Sequence, residues 1–315
     1  MPSSIQKHPL VLAIALSLWL GGCRATSQAA PSTPTPSPIV LTDGLGREVT
    51  LEKPARRVAS LAPSNTEILF AVGAGDQTVA RDSFSDYPTE AGQLADIGGG
   101  FGEINTELLL SLQPDLVLAA EINPAENVQV LEGLGLKVFY LSNPTDLEGM
   151  YANLRLVGKL VRRQSEAETL IESLESRVKA VDSKIAGVKE RPLVFYELDA
   201  TEPNAPWTSG PGTFIDLLLT RAGGNNLGSA LADPWVQISV EEIIARNPDI
   251  ILLGDYTLGG IKPEDVMARP GWESIFAVQN QKVYPFDDNL VSRPGPRMVD
   301  GLESLAKLLH PELFP

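Results

Sequence analysis

Two distant stretches of this chain match one another without a gap, and that repeat constrains the fold more than any other feature. Ile104-Asn105-Thr106-Glu107-Leu108-Leu109-Leu110-Ser111-Leu112-Gln113-Pro114-Asp115-Leu116-Val117-Leu118 aligns with Ile238-Ser239-Val240-Glu241-Glu242-Ile243-Ile244-Ala245-Arg246-Asn247-Pro248-Asp249-Ile250-Ile251-Leu252. In both, a short capped helix leads through Pro-Asp into a buried strand. Such a chain is expected to build two bodies on one plan.

Between the copies lies the clearest helix, from Glu166 to about Val188. Ser165 followed by Glu168 reads as a capping box. Leu170, Leu174, Val178, Val181, Ile185 and Val188 lay one apolar stripe along a face otherwise filled with Glu, Lys, Arg and Ser, and Arg191-Pro192 ends it. At 1.5 Å per residue the helix is roughly 33 Å long, enough to tie two bodies together.

The elements around it alternate. Ile39-Val40-Leu41, a turn at Asp43-Gly44 and Glu48-Val49-Thr50-Leu51 suggest a β-hairpin. Val58 to Leu61 is the first core strand, and Ser64 or Asn65 is expected to cap a helix that Gly73 stops. Thr78-Val79-Ala80, Leu108 to Leu112, Leu116 to Ala119, Val128 to Leu134 and Val138 to Leu141 continue the pattern. In the second half Leu193 to Tyr196 is a strand, Thr213 to Arg221 a helix ended by Gly223-Gly224, and Lys282 to Pro285 a late strand. The fold class is therefore α/β: two α/β lobes with mostly parallel central sheets, each lobe with its own core, joined by one long rigid helix. In such sheets ligands gather at the strands' carboxyl ends.

At the start, Lys7 and His8 precede the apolar run Leu10 to Leu20 and then Gly21-Gly22-Cys23. The run is too short to span a bilayer permanently, and small residues before a cysteine mark an export signal with a lipidation site at Cys23, the sole cysteine. The Pro/Ser/Thr-rich segment that follows holds no large apolar side chain and is expected to be a tether. The expected organisation is a signal peptide at 1–22, the tether at 23–37, an amino-terminal lobe at 38–145, a helical connection at 146–190 and a carboxy-terminal lobe at 191–315. A net charge of −15 argues against nucleic acid as a partner.

Asp43-Gly44-Leu45-Gly46-Arg47-Glu48-Val49, Ser60-Leu61-Ala62-Pro63-Ser64-Asn65-Thr66-Glu67, Ser85-Asp86-Tyr87-Pro88 and Pro114-Asp115-Leu116-Val117 carry a specific resemblance. In these motifs, and across nearly everything after the tether, the chain resembles the substrate-binding lipoproteins of ABC importers for cobalamin, haem and ferric siderophores. The resemblance implies a class III periplasmic binding protein, with two lobes on a rigid backbone helix and ligand held in the cleft between them. It also implies an extracytoplasmic, membrane-anchored location and a dimeric permease with its ATPase as partner.

Within that family the chain is most similar to the cobalamin binders. Positions that line their corrin cleft with aromatics correspond to Phe84, Phe101, Trp207 and Trp235, and their polar cleft residues to Asp288 and Arg293. Asp86 and Tyr87 join this expected ligand-binding set. A corrinoid is a broad, partly apolar disc fringed with amides, so flat aromatic faces bury it while a few polar groups orient its rim. Two departures stand out: another tryptophan of some cobalamin binders falls at Ala120, and the alignment leaves open whether Asp287 or Asp288 faces the cleft. The repeat places Glu107 and Glu241 at the same position of the first helical turn. There a carboxylate complements the helix dipole, and by the resemblance one such glutamate per lobe meets arginines of the permease.

An enzyme reading lacks its reagents. After signal cleavage the remaining histidine is His310, and no cysteine beyond Cys23 exists, so no Ser-His-Asp, Cys-His or histidine-rich metal constellation can be assembled. The reading is of a non-catalytic binding protein, without cofactor or metal of its own, that captures cobalamin or another corrinoid for an importer. A ferric siderophore or haem binder of the same fold is the alternative. A lipid-anchored sensor or enzyme on this fold is the reading from a different class.

Overall fold

The computed structural model describes residues 37–100 and 102–314; the signal peptide, Cys23, the tether up to residue 36, and Phe101 lie outside the described residues. The expected hairpin forms from β1 (Ile39–Thr42) and β2 (Glu48–Leu51), paired antiparallel. The uninterrupted apolar runs become buried parallel strands, as they must when helices cover both faces of a sheet. The sheet of the first half holds β3 (Val58–Ser60), β4 (Thr78–Arg81), β5 (Ala95–Asp96), β6 (Leu116–Ala120) and β7 (Val138–Leu141), in the order β5-β4-β3-β6-β7, with β3, β6 and β7 buried throughout. In the second half β8 (Leu193–Glu197), β10 (Asn225–Asn226), β12 (Ile250–Leu253) and β13 (Val283–Pro285) follow the order β10-β8-β12-β13. A separate antiparallel ribbon joins β9 (Trp207–Ser209) to β11 (Trp235–Gln237).

Each sheet is wound alike. The chain leaves the first strand on one side and returns to the other, so the switch points fall between β3 and β6 and between β8 and β12. The repeated segments supply β6 and β12, the same place in each sheet. Helix α1 (Pro63–Ala71) follows β3, while α2 (Thr106–Ser111) leads into β6 and α3 (Ala125–Gly133) leaves it. Helices α4 (Leu147–Val161) and α5 (Gln164–Ile185) make the connection, α6 (Phe214–Arg221) precedes β10, and α7 (Val240–Arg246) leads into β12. The short α8 (Tyr256–Gly259), α9 (Pro263–Met267) and α10 (Phe276–Gln279) come before β13, and α11 (Met298–Leu309) closes the chain.

The repeat is physical as well as textual. Asn105 accepts the Leu108 N–H at 3.0 Å and Ser239 accepts the Glu242 N–H at 3.2 Å, capping α2 and α7. Gln113 and Asn247 then turn the chain with φ of 48° and 50°. Asp115 accepts the Arg57 N–H at 3.0 Å and Asp249 accepts the Leu193 N–H at 2.7 Å. Each aspartate thereby fixes its own strand to the start of the neighbouring one, β3 or β8. The Pro-Asp pair is a register pin.

Two predicted caps are replaced. Helix α1 begins at Pro63 itself, with Ala62 as its extended cap, and Ser64 and Asn65 sit inside the first turn. Proline wins that position because its φ is already helical and its missing N–H costs nothing there. Helix α5 begins at Gln164, with Arg163 before it and no side-chain cap, so Ser165 and Glu168 form no capping box. Glu168 instead pairs with Arg155 of α4 at 3.1 Å, and Arg163 pairs with Glu166 at 3.2 Å. The start of α5 is set by its packing on α4: a Cβ on Gly158 would lie 2.9 Å from the Ala167 Cβ. The helix ends at Ile185, short of Val188.

The apolar stripe is where the sequence put it, with Leu174, Val178, Val181 and Ile185 buried and Leu170 and Val188 packed alongside. Its surroundings differ from the expectation of two independent cores. One cluster runs continuously from Ile68 and Leu69 of α1 through α4 and α5 to Leu302 and Leu305 of α11. Only the outer face of each sheet has a cluster to itself, around Leu109 and Val117 in one half and Phe195 and Trp272 in the other. A helix whose stripe lies in a core shared by both halves resists bending, since any bend would open packed apolar surface.

Candidate ligand cleft

The first wall grows from the carboxyl end of β4. Asp82 is buried there, accepts the Phe84 N–H at 2.8 Å and binds the Ser85 hydroxyl, and Ser85 meets Thr66 of α1 at 2.7 Å. Burial raises the Asp82 pKa, against the opposing hydrogen bonds from Ser85 and Phe84. This anchored turn presents Phe84 and Tyr87 at the surface, 38% and 46% exposed. Gly100, at φ 67°, lets the Phe84 ring lie close, since a Cβ there would strike the ring carbons.

The second wall continues from the carboxyl end of β8. The Leu198 N–H donates to the Trp207 carbonyl and the Trp207 N–H to the Asp199 carbonyl, so the ribbon of β9 and β11 extends off that strand. Trp207 and Trp235 stand on the ribbon, a pairing too short to show as alternation in the sequence. Trp235 opposes Ser209 and Gln237 opposes Trp207, which sets both tryptophans on one ribbon face. They are 41% and 39% exposed, and Trp235 rests on Phe214 with ring centres 5.5 Å apart.

The polar residues divide sharply. Asp288 is buried, and the Tyr196 hydroxyl donates to it at 2.6 Å; burial raises its pKa, opposed by hydrogen bonds from Ser292 and Tyr196. Its neighbour Asp287 is the exposed one of the pair. Arg293 is also nearly buried and already engaged, donating to Asp86 at 2.5 Å and to Glu67 at 3.4 Å. Burial works to raise the Asp86 pKa, but the hydrogen bond and charge of Arg293 outweigh it and hold the carboxyl below its usual value. The structure thus brings Asp86, Tyr87 and Arg293 together, sets Trp207 beside Trp235, and places Asp288 against Tyr196.

Two partners were missed. Arg297 forks onto Glu67 at 2.9 and 2.6 Å and lies 3.9 Å from the Tyr87 ring centre. Glu67 stands inside the Ser60–Glu67 motif, and Arg297 is four residues beyond Arg293, but no local pattern links residues 230 positions apart. A second group went unnoticed at the end of β8 and β12. Glu197 is buried with Arg269, which forks onto it, and Asp255 is buried beside them with one oxygen unpartnered. Burial, with the Glu197 charge adding to it, pushes the Asp255 pKa up to about 7.

Glu107 and Glu241 are exposed in the first turns of α2 and α7, and neither has an ion-pair or hydrogen-bond partner among the described residues. Both helices run back toward the amino ends of β6 and β12. Their first turns, with the two carboxylates, therefore stand on the side where the cleft loops emerge.

This geometry can be set beside known proteins. The periplasmic binding protein family matches residues 58–290. An uncharacterized ABC transporter substrate-binding lipoprotein of Bacillus subtilis, YvrC, is 33% identical over 88% of this chain and 87% of its own length. A vitamin B12-binding protein of Vibrio parahaemolyticus is 29% identical over 79% of this chain and 88% of its own. Among solved structures, the periplasmic heme-binding protein RhuT from Roseiflexus superposes with a TM-score of 0.73 at 26% identity, covering 82% of this chain and 99% of that one.

Proposed function

We propose that this chain, which belongs to the periplasmic binding protein family and is a substrate-binding component of an ABC importer rather than an enzyme, captures a corrinoid of the cobalamin type. What carries this reading is the combination at the carboxyl ends of the sheets: exposed aromatic faces together with a charge-balanced polar cluster. Phe84, Tyr87, Trp207 and Trp235 offer flat apolar area that a broad macrocycle can cover. Phe101 completes the set by resemblance. In the polar cluster Arg293 and Arg297 are matched by Glu67 and Asp86, with Asp287 exposed nearby. A cluster already balanced has little to give a dianionic ligand such as haem, whose carboxylates would have to break an existing ion pair. A disc fringed with neutral amides meets no such cost.

The vitamin B12-binding relative supports the same ligand, and the heme-binding structural neighbour supports the alternative. Delivery would follow from docking of Glu107 and Glu241 onto arginines of a permease dimer, with the protein held at the outer face of the membrane by a lipid on Cys23. The lipoprotein relative supports that anchor.

The experiment is a fluorescence titration with cyanocobalamin, which absorbs where tryptophan emits. Binding is expected to quench emission saturably in the wild type, and Trp235→Ala and Phe101→Ala are each expected to lose about 1–3 kcal/mol of affinity. If both variants bind cyanocobalamin as the wild type does, the cleft drawn here is wrong. If the wild type shows no saturable quenching, the ligand is wrong.

A further inference from the structure

The strongest polar contact between the two halves of the molecule lies at one place. Glu67, in the first turns of α1, has a carboxylate only 1% exposed, and both arginines that reach it come from the other half: Arg297 at 2.6 and 2.9 Å and Arg293 at 3.4 Å. The same two arginines hold the loop after β4, Arg293 through Asp86 and Arg297 through the face of Tyr87. Two cations and two carboxylates balance, and one guanidinium is forked on a carboxylate and stacked on a ring, an arrangement that fixes angle as well as distance. Backbone closes in as well: a Cβ on Gly295 would lie 3.5 Å from the Ser64 carbonyl oxygen and 3.8 Å from the Glu67 side chain.

The location gives this cluster its meaning. Helix α1 starts just after the carboxyl end of β3, and residues 293–297 follow the carboxyl end of β13, so the contact sits on the cleft side of the shared core around α5. The halves are therefore joined twice, by the core and by the cluster. We propose that Glu67 is a positioning residue, the pivot of an ionic clasp with Arg297, Arg293 and Tyr87 that sets the angle between the lobes and hence the width of the cleft. Rotation of one half about α5 would pull the Arg297 fork off a carboxylate whose one other cation among the described residues is Arg293, which Asp86 shares. The clasp makes the cleft nearly preformed, whichever ligand fills it.

The test uses the full chain with Cys23→Ser and spin labels on Val130→Cys and Glu264→Cys, exposed positions in α3 and α9 away from the cleft residues. Pulsed electron-electron resonance then reads the distance distribution between the lobes. Glu67→Gln keeps the shape of the side chain and removes its charge; Arg297→Lys keeps the charge and removes the fork. Each is expected to melt cooperatively and to show a distribution broader than the wild type and shifted to longer distances, with Arg297→Lys the milder. An ordinary structural ion pair would lower the melting temperature and leave the distribution unmoved. A wild-type distribution in the folded variants overturns the proposal, and if Glu67→Gln does not fold, Arg297→Lys alone decides it.

Discussion

A carboxylic acid buried with one oxygen unpartnered must respond to pH, and Asp255 is that acid. Burial first, and then the negative charge of Glu197, push its pKa up to about 7, while the Ala200 N–H and Arg269 pull the other way. In the unfolded chain it returns to an ordinary value near 4. Between about pH 4 and pH 7 the folded state therefore binds a proton that the unfolded state does not, so this residue's contribution to stability falls as pH rises through that window. Asp255→Asn cannot ionise and is expected to gain on the wild type as pH rises. Thermal melts at pH 5 and pH 8 should show a larger advantage for the variant at pH 8; an advantage independent of pH would mean that Asp255 is ionised throughout. Arg293 makes a different point at this scale. The sequence marks it as a cleft arginine, yet its charge is shared between Asp86 and Glu67, and only the fold could reveal those partners.

At the scale of elements, the repeat was the best guide because its signals are local. A capping side chain and a left-handed turn residue act within a dozen positions, and both they and the Pro-Asp pin, whose bond reaches the neighbouring strand, are found in both copies at equivalent places. Ser239→Ala should cost about 1 kcal/mol by freeing the Glu242 N–H, and Asn105→Ala a similar amount at α2. Denaturant titration checks this, and a loss in only one of the two would break the equivalence of the copies. What the sequence hid was non-local. The start of α5 is set by packing on α4 and not by its own first turn, so the Ser165 and Glu168 signal misled. The ribbon bearing Trp207 and Trp235 contributes three residues per strand, too few for a period of two to register. The Glu67 to Arg297 contact joins α1 to the start of α11, and nothing short of the assembled fold places them together.

For the whole molecule, the proposed function has two lobes meeting one ligand on the inside and one partner outside. The carboxylates of Glu107 and Glu241, one per lobe and without ion-pair or hydrogen-bond partners among the described residues, suit a two-point, salt-sensitive contact with a basic permease surface. Glu107→Ala and Glu241→Ala are each expected to weaken association with permease in membranes while the isolated protein's ligand affinity stays unchanged. If ligand affinity falls as much as docking, these residues belong to the cleft. The identity of the ligand is the central claim, and calorimetric titration of the purified wild-type chain with cyanocobalamin, haemin and ferrichrome in turn tests it most directly. The account predicts saturable one-to-one binding of cyanocobalamin and much weaker binding of the other two; tight binding of haemin or ferrichrome with no heat from cyanocobalamin would contradict it.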